Sequence, residues 1–258
     1  MQIAVAGAAG RMGSLIIKKA IENGINVSQA FDIVKVGLDV GEVAGVGSIG
    51  VRIEDDISNL DSDILVDFTT PEASIKNAKF ASEKGVKLVI GTTGFNELQQ
   101  KKLLEYCEKV PTVISPNFSV GVNVFWKIAE FAAKYLYEYD IEIMEIHHKY
   151  KKDSPSGTAL KVAEIIKKIV SEKSKDLELK FCRHGISPRS NEIGVFGIRG
   201  GDVVGEHTVY FFGSGERIEI THRALSRECF ANGAIIAVKW INNIEKPGVY
   251  SMNDVLGF

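Results

Sequence analysis

Apolar positions in the first half of the chain fall into short runs, IAVAG, VSQAFD, DILVDFT, KLVIGTT and TVISPN. Between them lie longer stretches with apolar residues at helical spacing, from Arg11 to about Asn23, from Glu72 to Lys84 and from Glu97 to Lys109. Such alternation predicts a parallel sheet covered by helices on both faces. The glycine-rich piece GEVAGVGSIG (Gly41 to Gly50) has neither periodicity and reads as an irregular loop. A strongly apolar helix is expected from Gly121 to Tyr137, then a strand over IEIMEI, then a helix from about Ser156 to Val170. Past a surface stretch rich in Lys, Glu, Ser and Asp, the runs GVFGIRG, VVGEHTVYFF and ERIEITHRA are divided by Gly-Asp and Gly-Ser-Gly turn signals and predict an antiparallel meander. A last helix, from about Arg227 to Asn242, has the apolar spacing to dock back on the first domain.

Composition narrows the partners more than the fold. The chain has 258 residues, 45% hydrophobic and 25% charged, which fits one large or two modest globular domains. A net charge of −2 argues against a broad nucleic-acid surface, which needs a basic face. Any anionic ligand is therefore small and held locally. Cys107, Cys182 and Cys229 lie far apart without a CxxC pair, so neither a metal site nor a disulfide framework is expected, and a reducing cytosol fits. The opening MQIAVAGAAGRMG lacks the basic n-region of a signal peptide, and no apolar run has the length to span a bilayer.

GAAGRMG follows the first strand and leads directly into a helix, with Gly7, Gly10 and Gly13 in the spacing GxxGxxG. A turn of this kind lets backbone approach a pyrophosphate and aims free N–H groups and the helix dipole at it. The expected fold is thus a Rossmann-type doubly wound parallel sheet followed by an α+β domain with a mostly antiparallel sheet. Asp32 ends the second run, where an acid can accept the hydroxyls of the adenosine ribose, which favours NADH. Lys35 and Arg11 lie close enough in sequence to keep NADPH open, and the competing reading of Asp32 is a turn-former at a strand end. Two more strand ends, VIGTTG and ISPNFS, fall where doubly wound sheets bind ligands.

The segment EIHHKYKKDSPSGTA, from Glu145 to Ala159, concentrates histidines, lysines and a Ser-Gly-Thr turn. Ser156, Gly157 and Thr158 stand at the start of a helix, where they can cap it or hold a carboxylate. His147 and His148 are adjacent on a strand, so both face one ligand only if the strand ends there. Adjacent histidines chelate a metal poorly, and no HExxH spacing is present. Beside Lys149, Lys151 and Lys152 they form either a solvated basic loop or a proton-donating site for a small diacid.

The blocks GAAGRMG, DFTTPEA, GTTGF, NFSVGVN, EIHHKYKKDSPSGTA and GDVVGEHTVYF together resemble the 4-hydroxy-tetrahydrodipicolinate reductase family, also called dihydrodipicolinate reductase, and run in family order along essentially the whole chain. The resemblance implies NADH- or NADPH-dependent reduction of a cyclic dicarboxylate on the route to diaminopimelate and lysine, by a cytoplasmic homotetramer. It implies His147 as catalytic acid/base and Lys151 as proton donor, with His148, Ser156, Gly157 and Thr158 at the substrate. Cofactor contacts implied are Gly7, Ala8, Ala9, Gly10, Arg11, Met12, Asp32, Gly91, Thr92, Thr93, Ser115, Pro116, Asn117 and Phe118. It also implies a dinucleotide-binding domain over 1–119, rejoined by 228–258, and a substrate-binding and oligomerisation domain over 120–227. Many family members carry arginine after the strand-end acid, whereas this chain has Ile33, which weighs against a strong NADPH preference. The rival readings are another Rossmann-type amino-acid-pathway dehydrogenase and a non-catalytic NAD(H)-sensing protein.

Overall fold

The computed structural model describes residues 1–174 and 176–258. Position 175, in the polar stretch expected at the surface, lies outside the described residues. The chain divides into two compact units, Met1–Val120 with Arg227–Phe258, and Gly121–Ser226.

In the first unit the short apolar runs become β1 (Gln2–Ala6), β2 (Asn26–Phe31), β4 (Ile64–Asp67), β5 (Lys87–Ile90) and β6 (Pro111–Ile114), and two strands that the pattern did not mark, β3 (Ile53–Glu54) and β12 (Gly248–Tyr250), join them. The sheet order is β12-β6-β5-β4-β1-β2-β3, and every ladder is parallel. Successive strand residues point to opposite faces, so one strand feeds two cores. Ile3 and Val5 pack with Ile16 and Ile17 of α1 (Arg11–Glu22) and with Ala234 and Val238 of α7 (Glu228–Asn242). Ala4, Leu65 and Leu88 pack on the opposite face with Ala78 of α3 (Pro71–Lys84) and Leu103 of α4 (Glu97–Cys107). Burial on both faces explains why these strands read as continuous apolar runs. The short helix α8 (Met252–Leu256) closes this unit after β12.

The glycine-rich piece departs from the expected irregular loop. Val40–Ala44 forms one helical turn, α2, because the Asp39 carboxylate caps it through the amides of Gly41 and Glu42. The same carboxylate gathers the amides of Ile49 and Gly50 and the Ser48 hydroxyl. A single turn is too short for a periodic pattern to be visible.

The second unit contains all but the first residue of α5 (Val120–Ala133), with β7 (Asp140–His147), α6 (Gly157–Lys173), β8 (Glu178–Lys180), β9 (Glu192–Arg199), β10 (Gly205–Gly213) and β11 (Glu216–Ala224). Helix α5 stops before Tyr137, giving way to turns in which Tyr139 N–H donates to Leu136 O. The strand order is β11-β10-β7-β9-β8. Only part of the expected meander forms: β10 pairs antiparallel with β11 and with β7, whereas β9 runs parallel to β7 and β8. The turn after β9 does not fold back on that strand. It runs across the end of β7, with Gly200 N–H donating to His147 O and His148 N–H to Val203 O. The sheet is consequently mixed, with β7 at its centre.

Helices α5 and α6 cover one face of this sheet, where Phe125, Trp126, Val162 and Ile166 meet Ile141, Ile143, Val195 and Phe211. No helix among the described residues is long and apolar enough to cross a membrane.

Candidate active site

Strand β1 turns into α1 through a glycine cradle. Gly7 has φ +76°, and a Cβ there would lie 2.5 Å from Phe68 O. A Cβ on Gly13 would lie 2.1 Å from Gly7 O, so only glycine allows the helix to start this close to the strand. Gly10 is the N-cap of α1 and supplies no side-chain cap. The first turn thus presents main-chain donors and the positive end of the helix dipole, which fits a pyrophosphate.

Asp32 sits against this turn. Its Oδ2 accepts the Ala9 amide at 2.9 Å, and Oδ1 accepts the Val34 amide at 3.2 Å. Ala8 is buried and Met12 packs against the core, while Arg11, Lys35 and Ile33 are exposed, Ile33 at 88%.

At the carboxyl ends of β4 and β5 the chain is tied together by Asp67, which is fully buried. Its carboxylate accepts the Thr92 hydroxyl at 2.7 Å, the Thr69 hydroxyl at 2.8 Å and Asn77 Nδ2 at 2.7 Å. Burial pushes this carboxyl above its ordinary value despite those donors. Thr92 Oγ1 also accepts the Thr69 amide at 2.9 Å, so the Thr92 side chain points inward and holds the loop. Gly91 lies under the Phe68 ring, where a Cβ would come within 2.2 Å of it, whereas Thr93 is exposed. Ser115 Oγ donates to Asn117 O at 2.8 Å, shaping the turn that carries exposed Pro116. Phe118 is a core residue, its ring 5.6 Å from that of Phe68.

In the second unit, β7 ends at His147, which is 8% exposed. Alternation along the strand puts Glu145 and His147 on the same, helix-covered face. Glu145 is completely buried, and its Oε2 lies 2.6 Å from His147 Nδ1. Arg199, at the end of β9, reaches Oε2 with Nη1 at 2.8 Å and Oε1 with Nη2 at 2.7 Å. The Ser156 amide donates to Oε1 at 2.9 Å. Burial alone would raise the Glu145 carboxyl, but the hydrogen bonds from His147 and Arg199 outweigh it and hold the group at about 2.

Ser156 is the N-cap of α6, its Oγ accepting the Ala159 amide at 3.3 Å and lying 3.0 Å from His207 Nε2. The cap and the contact with His207 thus occupy this side chain in the interior, where it is 2% exposed. Burial, and then the neighbouring His147, push His207 down to about 3, so it stays neutral. Its ring stands edge-on to His147 at 5.1 Å between centroids. Gly157 is exposed at the first position of α6, and Thr158 is half-buried beside Trp126, whose Nε1 donates to Thr158 O at 3.2 Å. His148 is half-buried, with its ring 6.3 Å from Tyr150. Lys151 Nζ pairs with Asp153 Oδ1 at 2.9 Å. Lys149 and Lys152 are exposed, and Lys149 lies over the Tyr150 ring at 5.1 Å.

The sequence pattern therefore located the segment but passed over Glu145, Arg199, His207 and Asp67. Glu145 was findable, since an acid two residues before a histidine on a strand shares its face. Arg199 and His207 carry no comparable signal, because strand pairing alone brings them near.

These features define a two-unit α/β protein with a dinucleotide-type glycine cradle in one unit and a buried Glu-His-Arg cluster beside a helix N-terminus in the other. Residues 1–118 match the model for "Dihydrodipicolinate reductase, N-terminus" and residues 121–256 that for "Dihydrodipicolinate reductase, C-terminus". A 4-hydroxy-tetrahydrodipicolinate reductase of Archaeoglobus fulgidus is 66% identical over 256 residues, covering 99% of this chain and 100% of that protein. One of the same name from Methanococcoides burtonii is 50% identical over 262 residues, covering 98% of each. The fold is also that of a dipicolinate-bound dihydrodipicolinate reductase from Paenisporosarcina sp. TG-14, with a TM-score of 0.76, 24% identity and 97% of each chain covered. The chain belongs to the dihydrodipicolinate reductase family.

Proposed function

We infer that this protein reduces 4-hydroxy-tetrahydrodipicolinate to tetrahydrodipicolinate with NADH or NADPH, in the route to diaminopimelate and lysine. The observation that carries the reading is the 66% identity across the full length of a reductase of that name, in a chain whose glycine cradle and His147 cluster are both intact. Residues 1–119 with 228–258 serve as the dinucleotide-binding domain, and residues 120–227 bind substrate.

Gly7 to Met12 hold the pyrophosphate, and Asp32 the adenosine ribose. Gly91 to Thr93 and Ser115 to Phe118 form the rest of the cofactor surface, Thr92, Ser115 and Phe118 by shaping it from within. Ile33 offers no charge to a 2′-phosphate, which supports use of NADH, and exposed Lys35 keeps NADPH usable. The reduced nicotinamide, when bound, supplies a hydride to the substrate ring carbon that loses the 4-hydroxyl as water.

Gly157 and Thr158, at the N-terminus of α6, receive one substrate carboxylate, with Ser156 securing the turn beneath them. His148 binds the second carboxylate. His147 and Lys151 stabilise charge at the ring nitrogen, and one of the two delivers the balancing proton there. The outer face of the β7–β11 sheet carries Met144, Ile146, Phe196, Ile198, Tyr210 and Phe212, with Ile198 45% and Phe212 37% exposed. We assign this face, on which these apolar side chains lie among Glu142, Glu206 and Thr208, to subunit contacts in a cytoplasmic homotetramer.

The direct test is absorbance of NADH and of NADPH, each with and without the cyclic dicarboxylate. Substrate-dependent oxidation is expected with both, and its absence with both overturns the reading. His147→Gln and Lys151→Ala should each lower kcat roughly a hundred- to ten-thousand-fold.

A further inference from the structure

We propose that Glu145, clamped by Arg199 and the Ser156 amide, is the positioning residue that fixes the tautomer and ring plane of His147 and leaves Nε2 as the atom that moves the proton. The proposal rests on the reductase reading for the role of His147, but its geometry does not.

A carboxylate offers about four acceptor positions. In Glu145 all are taken: Oε1 by the Ser156 amide and Arg199 Nη2, Oε2 by Arg199 Nη1 and His147 Nδ1. Since the carboxylate stays ionised, it offers His147 only lone pairs, and Nδ1 must carry the hydrogen of their shared bond. The neutral ring is then the Nδ1–H tautomer, with a lone pair on Nε2 that takes up a proton from solvent and passes it on, Glu145 stabilising the imidazolium in between. Arg199 does two further things. It anchors Glu145 to β9, and through Nη2 it donates to Asp153 O at 2.5 Å, tying down the loop that carries Lys151. His207 on β10 faces the ring edge as a neutral group, so it adds no competing charge. On the Nε2 side the nearest position across the sheet is Gly205, which has no side chain to fill that space.

The arrangement predicts a specific signature in the full-length protein. Ring-nitrogen NMR of His147 should show Nδ1 protonated and Nε2 unprotonated in the neutral imidazole. Glu145→Gln keeps the side-chain size but can present an amide N–H to Nδ1, so the tautomer balance should move toward Nε2–H. Turnover should fall about a hundred-fold or more, as when the acceptor beneath a catalytic imidazole is exchanged for an amide. KM for the dicarboxylate should stay within about three-fold, because Glu145 acts on proton transfer and not on substrate holding. Glu145→Gln leaves half-buried Arg199 without its main counter-charge, and if that variant fails to fold, the pair Glu145→Gln with Arg199→Gln removes both charges and carries the same test.

Unchanged ring-nitrogen signals in whichever of these variants folds overturn the proposal, as does full turnover with a shifted tautomer. His147→Gln separates the two levels: if it abolishes turnover while the Glu145 variants do not, positioning by Glu145 fails and the reductase reading stands. If His147→Gln itself is fully active, the role given to His147 in that reading fails.

Discussion

Gly205 and His147 are opposed across the β7–β10 ladder so closely that a Cβ on Gly205 would lie 2.9 Å from Nε2 of the imidazole. The space in front of this nitrogen exists because the facing residue has no side chain. Gly205→Val should therefore displace the ring or cover Nε2 and lower kcat at least ten-fold, while the KM for NADH stays unchanged. Steady-state kinetics with each substrate varied in turn measures this, and normal kcat would show that Nε2 does not need the opening.

Asp32 links the glycine turn to the loop after β2 through the amides of Ala9 and Val34. Asp32→Ala removes both acceptor contacts and the carboxylate available to ribose hydroxyls. We expect KM for NADH to rise about ten-fold or more, with a smaller change for NADPH, since losing one good pair of hydrogen bonds to a charged group costs about 1.5–3 kcal/mol. Parallel kinetics with both cofactors decides it, and an unaltered preference removes Asp32 from the ribose site.

Asp67 is the internal tie of the loops after β4 and β5, accepting from Thr69, Asn77 and Thr92 while fully buried. Asp67→Asn turns an acceptor into a donor facing donors. The expected loss is about 2 kcal/mol or more of stability, from leaving buried polar groups unsatisfied. Urea unfolding reads this as a lower midpoint with an unchanged slope, together with weaker nucleotide binding in the folded protein.

Acid should destabilise the protein through its buried histidines. Burial, and then charge on His147, lower His207 from 6.5 to about 3, and burial lowers His222 in the same direction. The unfolded chain takes up the His207 proton from about pH 6.5 downward, whereas the folded chain does not, so stability is lost as pH falls from there toward 3, and His222 adds to the loss in the same direction. For His207 the loss approaches about 1.4 kcal/mol per pH unit in that window. Below 4.5 Glu145 adds to it, because its folded carboxyl stays ionised down to about 2. Thermal denaturation between neutral pH and about pH 4 should show a falling Tm, with a shallower slope for His207→Gln. A Tm independent of pH would show that His207 titrates normally.

Much of the fold was legible because it depends on local periodicity. The apolar runs of β1, β4 and β5 and the glycine spacing at Gly7, Gly10 and Gly13 act within a few residues, and each appears where expected. The helical turn at Val40–Ala44 was not legible, since its cap, Asp39, also gathers amides about ten residues away. Nor was the parallel pairing of β9 with β7, because turn residues mark where strands end but not which strand they meet.

The linear order of residues determined the doubly wound sheet, the glycine turn after β1 and the segment from His147 to Thr158, because strand alternation, glycine conformation and helix capping are short-range effects. Only the tertiary structure decided that Ser156 points inward to His207, that Thr92 serves Asp67, and that Glu145 is shared by His147 and Arg199. Those choices come from long-range strand pairing and from burial. Once a polar group is withdrawn from water it must find its partner in the folded chain, wherever in the sequence that partner lies.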